Sequence, residues 1–296
     1  MENLRLPLGD WVEAFVDFLG AVFGWLFDGI AVVLEAVYTG LDWVLTAPPF
    51  WIIILLIAAL AWWLKGWKLA VGSALGLLLI VLVDQWETSM DTLALVLVAS
   101  VIAIAISIPV GIWAARSDGV SRVVRPILDF LQTMPAFVYL IPAIIFFGVG
   151  VVPGMIATIL FALAPGVRLT ELGIRGVDTE VVEAGHAFGA TPGRILRQIQ
   201  LPLALPSIMA GVNQIIMLSL SMVVIAGMVG AGGLGGEIVR AIGRINVGLG
   251  FEAGIAVVII AMILDRMTAA LANMGGAQSA ARKRAKRAAR QTTSAS

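Results

Sequence analysis

From Trp43 onward the charged residues of this chain fall in narrow clusters, and the stretches between them are long enough to cross a bilayer. A hydrocarbon core about 30 Å thick needs about 20 helical residues, because a backbone group left unpaired there costs several kcal/mol. Trp43 to Leu64 is the first such run, and Leu69 to Val83 is a shorter second run beside Lys68, which can snorkel. Thr92 to Ala115 follows. Phe130 to Val167 is too long for one crossing, and Gly148, Gly150, Pro153 and Gly154 supply a reversal within it, which makes two helices. Leu203 to Val229 and Val247 to Ala272 complete a prediction of seven spans. With 60% hydrophobic and 13% charged residues, the chain is far more apolar than a soluble domain, so the expected class is an all-α, polytopic membrane protein.

Lys and Arg set the orientation, since short cytoplasmic loops carry an excess of them. Lys65 and Lys68, then Arg116, Arg122 and Arg125, then Arg168, Arg175, Arg194 and Arg197, then the C-terminal tail all fall on one side of an alternating path. That side is read as the cytoplasm. Asp84, Glu87 and Asp91 then lie outside, and so does the N-terminus, which has no signal-peptide pattern.

Both ends are polar in opposite senses. Asp10, Glu13, Asp17, Asp28, Glu35 and Asp42 fall within roughly 60° of one another at helical spacing, an acidic stripe on one amphipathic helix. An acidic face is not drawn to anionic lipid, so packing against protein or an outer-leaflet position is expected, with a plain scaffold role as the alternative. The tail holds Arg282, Lys283, Arg284, Lys286, Arg287 and Arg290 with no acidic residue after Asp265. It reads as a topology anchor or as a contact to membrane lipid that weakens with salt, and not as a nucleic-acid site, since no aromatic residue is interleaved.

One polar insert interrupts the apolar runs on the cytoplasmic side. Asp178 or Thr179 can cap a short helix through Phe188, and Gly189 stands where a helix end calls for a left-handed residue. Thr191-Pro192 then starts a second helix, which should yield before Leu201-Pro202 and Pro206. Val181, Ala184, Gly185 and Phe188 share one face of the first helix and form an apolar ridge suited to a partner's groove.

The spacing Glu183-Ala184-Gly185, three residues, Gly189, nine residues, Ile199, Gln200, Leu201-Pro202 resembles the loop by which membrane subunits of bacterial ABC importers engage their ATPase, with Gly185 where a second Ala is usual. Leu131 to Pro142, Gly211 to Gln214, Leu220 to Gly227, Gly232 to Gly235 and Ile263 to Arg266 narrow the likeness to the glycine betaine/proline betaine permeases, over roughly residues 88–268. The resemblance implies the type I importer fold with about seven transmembrane helices plus an N-terminal amphipathic helix. It also implies two ATPase copies, an extracytoplasmic substrate-binding protein and a second permease copy, with ATP and Mg on the ATPase and no cofactor on this chain. The cargo it implies is glycine betaine, proline betaine, choline, carnitine or trimethylamine N-oxide.

On this reading the coupling residues are Glu183, Ala184, Gly185, Phe188, Gly189, Ile199, Leu201 and Pro202. Residues 1–42 are the scaffold helix, 43–87 two accessory spans, 88–274 the permease core with its coupling loop at 171–206, and 275–296 the tail. Few polar groups lie mid-membrane, so Gln132, Thr133, Asn213, Gln214, Ser219 and Ser221 are candidates for the translocation path, with Met134, Phe137, Tyr139 and Met222 as apolar gate elements. For each of these, helix packing is the competing role.

Other classes fit less well. No G-x-x-x-x-G-K-[ST] occurs, so ATP must be bound elsewhere. With no cysteine and a single histidine, His186, the chain offers neither a metal cluster nor a catalytic constellation. A secondary transporter or channel not driven by ATP is the alternative, but the central spans hold no ionisable group for coupling. Gly230, Gly232 and Gly235 spell G-x-G-x-x-G after a segment too long for a strand, so close backbone packing or a re-entrant turn near the outer gate is expected there rather than dinucleotide binding. Gly72 and Gly76 are expected to pack helices.

Overall fold

A computed structural model describes residues 6–275, and the basic tail lies outside the described residues. Every regular element among them is helical. The first, α1 (Leu8–Thr46), is one uninterrupted helix of 39 residues whose acidic stripe is exposed except at the half-buried Asp42. Pro48 and Pro49 end it, which moves the start of the next helix from the expected Trp43 to Phe50. Helices α2 (Phe50–Lys65) and α3 (Trp67–Leu82) turn at Gly66 into an antiparallel hairpin. At 16 residues each they rise only about 24 Å. Trp62, Trp63 and Trp67 are exposed at the hairpin's tip beside Lys65 and Lys68, a composition suited to the membrane interface.

The heart of the fold is α4 (Trp86–Arg116), followed after the short α5 (Asp118–Thr133) and α6 (Phe137–Phe147) by α7 (Val151–Arg175). The single run predicted to lead from Phe130 to the Gly148–Gly150 reversal is broken: α5 and α6 meet at 99°. Met134 is pushed to an extended conformation by Pro135, and α6 is too short to cross alone. Gly148 and Gly150 do form the reversal, whereas Pro153 and Gly154 lie inside the first turn of α7.

Beyond α7 come the small helices α8 (Thr179–Ala187) and α9 (Pro192–Ile195), a π-helical turn Leu196–Gln200, and then α10 (Leu201–Ser221), α11 (Val223–Met228), α12 (Gly233–Arg244) and α13 (Val247–Gly275). Helices α4, α7 and α10 pack so closely that a Cβ on Gly166 would stand 2.5 Å from both Ser107 Oγ and Ile215 Cδ1. Small residues set such distances where apolar burial alone cannot, as in membrane interiors. Helix α13 closes over α2, α3 and α10, with Ile259 seated at Gly76. Gly72 is open, so that motif works through one glycine only.

Among the described residues, five helices are long and apolar enough to cross a membrane, and the bent pair α5–α6 would be a sixth. Helix α1 is among the five, while α2 and α3 are shorter, so the predicted seven spans are distributed differently from the sequence expectation.

Candidate functional site: a helical elbow on a clamped helix frame

Helix α7 runs into the polar insert through Gly176 and Val177. Asp178 caps α8, its Oδ1 accepting from the Glu180 amide at 2.9 Å. At the other end Gly189 takes φ +75°, its amide donates to the His186 carbonyl at 2.9 Å, and the Ala190 amide reaches back to the Gly185 carbonyl at 3.1 Å. This pair of bonds is a Schellman motif, the αL ending that glycine makes easy.

The two faces of α8 differ sharply. Val181, Ala184 and Phe188 point outward, and Phe188 is 92% exposed. Gly185, expected on that ridge, is instead buried: a Cβ there would meet Ile199 Cδ1 at 2.8 Å and Ile195 Cγ1 at 3.4 Å. The residue that departs from the usual Ala is thus the seat of Ile199. Glu183 and His186 are exposed, and the Glu183 side chain has no hydrogen bond or ion pair among the described residues.

The second arm does not yield at Leu201-Pro202 as expected. It passes through the π turn at Leu196–Gln200 and continues into α10. Pro202 and Pro206 each lack an N–H and crowd the carbonyl four residues back, and a widened turn is one way a helix absorbs such a defect. Pro192 through Met228 therefore form one continuous rod from the elbow into the bundle. Beside it, Arg116, Arg194 and Arg197 line an open cleft of about 540 Å³ with no carboxylate in its wall.

The proposed path residues separate into two groups. Gln132, Thr133 and Phe137 at the α5–α6 bend, and Gln214 and Ser221 on α10, are exposed, and Met134 is half-buried. On α10 the exposed positions Leu203, Pro206, Ala210, Gln214, Met217 and Ser221 recur at intervals of three and four, a single uncovered face. The others are engaged between helices. Asn213 donates to Asp265 Oδ1 at 3.2 Å and accepts from Thr268 Oγ1 at 2.6 Å, tying α10 to α13. Tyr139 donates to the Met134 carbonyl at 2.9 Å and also contacts the Leu131 carbonyl, bracing the bend. Met222 packs with Leu140, Ala157 and Val229, and Ser219 is fully buried.

At the other end of the bundle, the glycine run works as backbone contact. A Cβ on Gly235 would stand 2.0 Å from the Val223 carbonyl oxygen, Gly230 and Gly232 have positive φ, and the Leu234 amide donates to Thr92 Oγ1 at 2.8 Å. No nucleotide cradle follows a strand here. Helix α12 packs against α11 at this point.

Sequence reasoning missed a polar lattice between α5 and the last turns of α7. Glu171 Oε1 accepts from Ser121 Oγ at 2.7 Å and pairs with Arg125 Nη2 and Arg175 Nε, both at 3.0 Å. Arg175 also meets Asp118 at 2.7 Å and donates to the Ala114 carbonyl at 2.9 Å, and Arg168 pairs with Asp129. The helical spacing of Asp118, Arg122, Arg125 and Asp129 was the available signal, but nothing in it named the partner.

A transmembrane bundle carrying a solvent-facing helical elbow is the architecture of a transport-complex membrane subunit. Residues 107–273 match the family of binding-protein-dependent transport system inner membrane components, and the chain belongs to that family. It is 49% identical over 264 residues to the glycine betaine transport system permease protein OpuAB of Bacillus subtilis, covering 89% of this chain and 94% of that one. It is 49% identical over 275 residues to the glycine betaine/carnitine transport permease protein GbuB of Listeria monocytogenes, covering 91% and 97%. The likeness to ProW, the glycine betaine/proline betaine permease protein of Escherichia coli, is 45% over 266 residues, covering 90% and 75%. In fold it matches an inward-facing structure of the MetNI methionine ABC transporter with a TM-score of 0.60 at 23% identity, over 64% of this chain and 95% of that one. The type I importer fold expected from the sequence is therefore present, in a non-catalytic, multi-pass inner-membrane subunit.

Proposed function

We propose that this chain is the transmembrane subunit of an ATP-driven importer that moves glycine betaine, or a related quaternary ammonium or osmolyte, into the cytoplasm by alternating access. The observation that carries the coupling role is Phe188, a large apolar side chain held almost wholly in solvent at the apex of a rigid Schellman corner. Exposing it without a partner forfeits roughly 2 kcal/mol of burial. Two copies of an ATPase, which hold ATP and Mg, take up these ridges. When they close on ATP they draw the elbows together, and hydrolysis resets them. Names carried by the relatives support the cargo class, and an extracytoplasmic binding protein delivers it.

The uncovered face of α10 supports a second permease copy across a shared path. Gln214, Met217 and Ser221 line that path from α10, and Gln132, Thr133, Met134 and Phe137 line it from the bend. Ser219 and Met222 lie behind this lining, Asn213 holds α10 in register, and Tyr139 fixes the bend. Residues 1–42 form the scaffold helix, 43–87 the accessory hairpin, 88–274 the core, and 275–296 a cytoplasmic tail. A cationic or zwitterionic quaternary ammonium can be accommodated in such a path by aromatic faces and polar groups without a matching carboxylate.

The test is reconstitution with the cognate ATPase and binding protein, followed by uptake of labelled glycine betaine in competition with proline betaine, choline, carnitine and trimethylamine N-oxide. ATP-dependent uptake displaced by one or more of these is expected. Uptake that persists without ATP on an ion gradient alone would favour a secondary transporter.

A further inference from the structure

Helix α5 is amphipathic, lies nearly at right angles to the helix that follows it, and carries the exposed Gln132 and Thr133 at its far end. Its length is tied to α7 at three levels. Asp118 binds Arg175, Ser121 and Arg125 bind Glu171, and Asp129 binds Arg168. Next to the last level Leu128 packs with Ala164 and Val167. The middle level differs from the others in burial. The Glu171 side chain is 4% exposed, whereas the Asp118–Arg175 and Asp129–Arg168 pairs face solvent. Exposed pairs contribute little to holding two helices together, but the buried Glu171 carboxylate draws Ser121 Oγ and Arg125 Nη2 from α5, with Arg175 of its own helix as third partner, and separating α5 would strip two of those three partners from a buried charge. Helix α7 leads, through only Gly176, Val177 and Asp178, into the elbow.

We infer that Glu171 is a positioning residue that locks α5 to α7, so that α5 travels with the elbow as one body and carries the ATPase-driven motion to the Gln132–Thr133 bend. This rests on the elbow being the ATPase contact. Glu171 touches no cargo. It fixes which helix the stroke reaches, a two-helix unit moving rigidly as in shear or hinge transitions. Without the lock, α7 still moves with the elbow but α5 lags, and hydrolysis proceeds without opening the path.

The chain has no native cysteine, so an introduced pair is unambiguous. In the reconstituted complex, Ser121→Cys with Glu171→Cys breaks the lock when reduced, and a short bifunctional thiol reagent restores it covalently. The reduced form is expected to keep ATP hydrolysis while uptake falls about tenfold, the scale of an ordinary coupling free energy, and cross-linking is expected to recover most of that loss. A merely structural role would lower hydrolysis and uptake together and would not be rescued. Unchanged uptake in the reduced form, or abolition of the remaining uptake on cross-linking, overturns the inference, the second because α5 and α7 must then separate during the cycle. Should that buried pair fail to assemble, Asp129→Cys with Arg168→Cys tests the same point on the exposed level. Its cross-linked form keeps uptake if the helices move together and loses it if they do not. Failure of the elbow reading itself is read separately, from Phe188→Asp retaining full ATPase binding.

Discussion

The elbow and the α5–α7 clamp sit at the two ends of the same short connection, yet they treat their side chains in opposite ways. On the elbow, Phe188 is bare, Glu183 has no partner among the described residues, and the cleft of Arg116, Arg194 and Arg197 has no carboxylate in its wall. On the clamp, Arg125, Arg168 and Arg175 all have carboxylates, and the one buried carboxylate has three partners. Buried polar groups are paired in finished structures. The exposed aromatic knob and the cleft of unopposed guanidinium groups are the surface on which the proposed ATPase would dock, while the clamp's charges are matched within the chain. On the proposed reading, solvent-facing side chains of the elbow such as Phe188 and Glu183 should be replaceable without loss of folding but not without loss of coupling, whereas the close-packed glycines of the bundle should fail in folding first.

Substitutions that act on the bundle should break folding outright. Gly235→Val places a side chain where the Val223 carbonyl already stands 2.0 Å from the Cβ position, and no rotamer relieves a clash with backbone. Loss of folded, membrane-inserted protein is expected, read from detergent-solubilised yield. Phe188→Asp should have the next largest effect. Folded yield and thermal stability stay unchanged, while ATPase co-purification and uptake are lost, since a charge replaces the apolar knob.

Gly189→Val should cost roughly 1 to 2 kcal/mol at the corner through the left-handed penalty, seen as faster proteolysis of the elbow and reduced uptake. Glu183→Ala should weaken ATPase docking without altering the elbow's protection from protease, because no internal contact is removed. Smallest of all is Gly185→Ala. Its Cβ meets the end of the flexible Ile199 side chain, so uptake within about twofold of the parent is expected, a change of under half a kcal/mol, whereas Gly185→Leu should displace α9 and the π turn and abolish uptake.

How far the sequence revealed these features depends on whether the cause is local. Gly189 was legible because one residue type suits an αL corner after an apolar helix, and the reversal at Gly148–Gly150 was legible for the same reason. Asp178 as cap needed only its neighbours. The exposure of Phe188 followed from its face of α8, but the burial of Gly185 on the margin of that face depends on Ile195 and Ile199 folding back, which helical angle alone does not specify.

The π turn stayed hidden because Leu196 to Gln200 carries no residue that forbids an ordinary helix, and the cause lies in the prolines that follow. Glu171 was overlooked as a site because its partners are 46 and 50 residues distant on α5. The bend at Met134–Pro135 could have been read from the proline, but the run of apolar residues outweighed it. Asn213 and Gln214 are adjacent and alike in chemistry, yet one ties α13 and the other faces the open side of α10, a distinction that only packing makes.

On the proposed function, residues 183–202 form a cytoplasmic elbow on which an ATPase docks. Because the chain has no cysteine, Phe188→Cys can be labelled at one position only, with a membrane-impermeant maleimide applied to inside-out and right-side-out vesicles, with and without the ATPase. Rapid labelling in inside-out vesicles alone, and protection when the ATPase is bound, are expected. Labelling from the outer side, or a rate indifferent to the ATPase, would contradict the elbow's docking role.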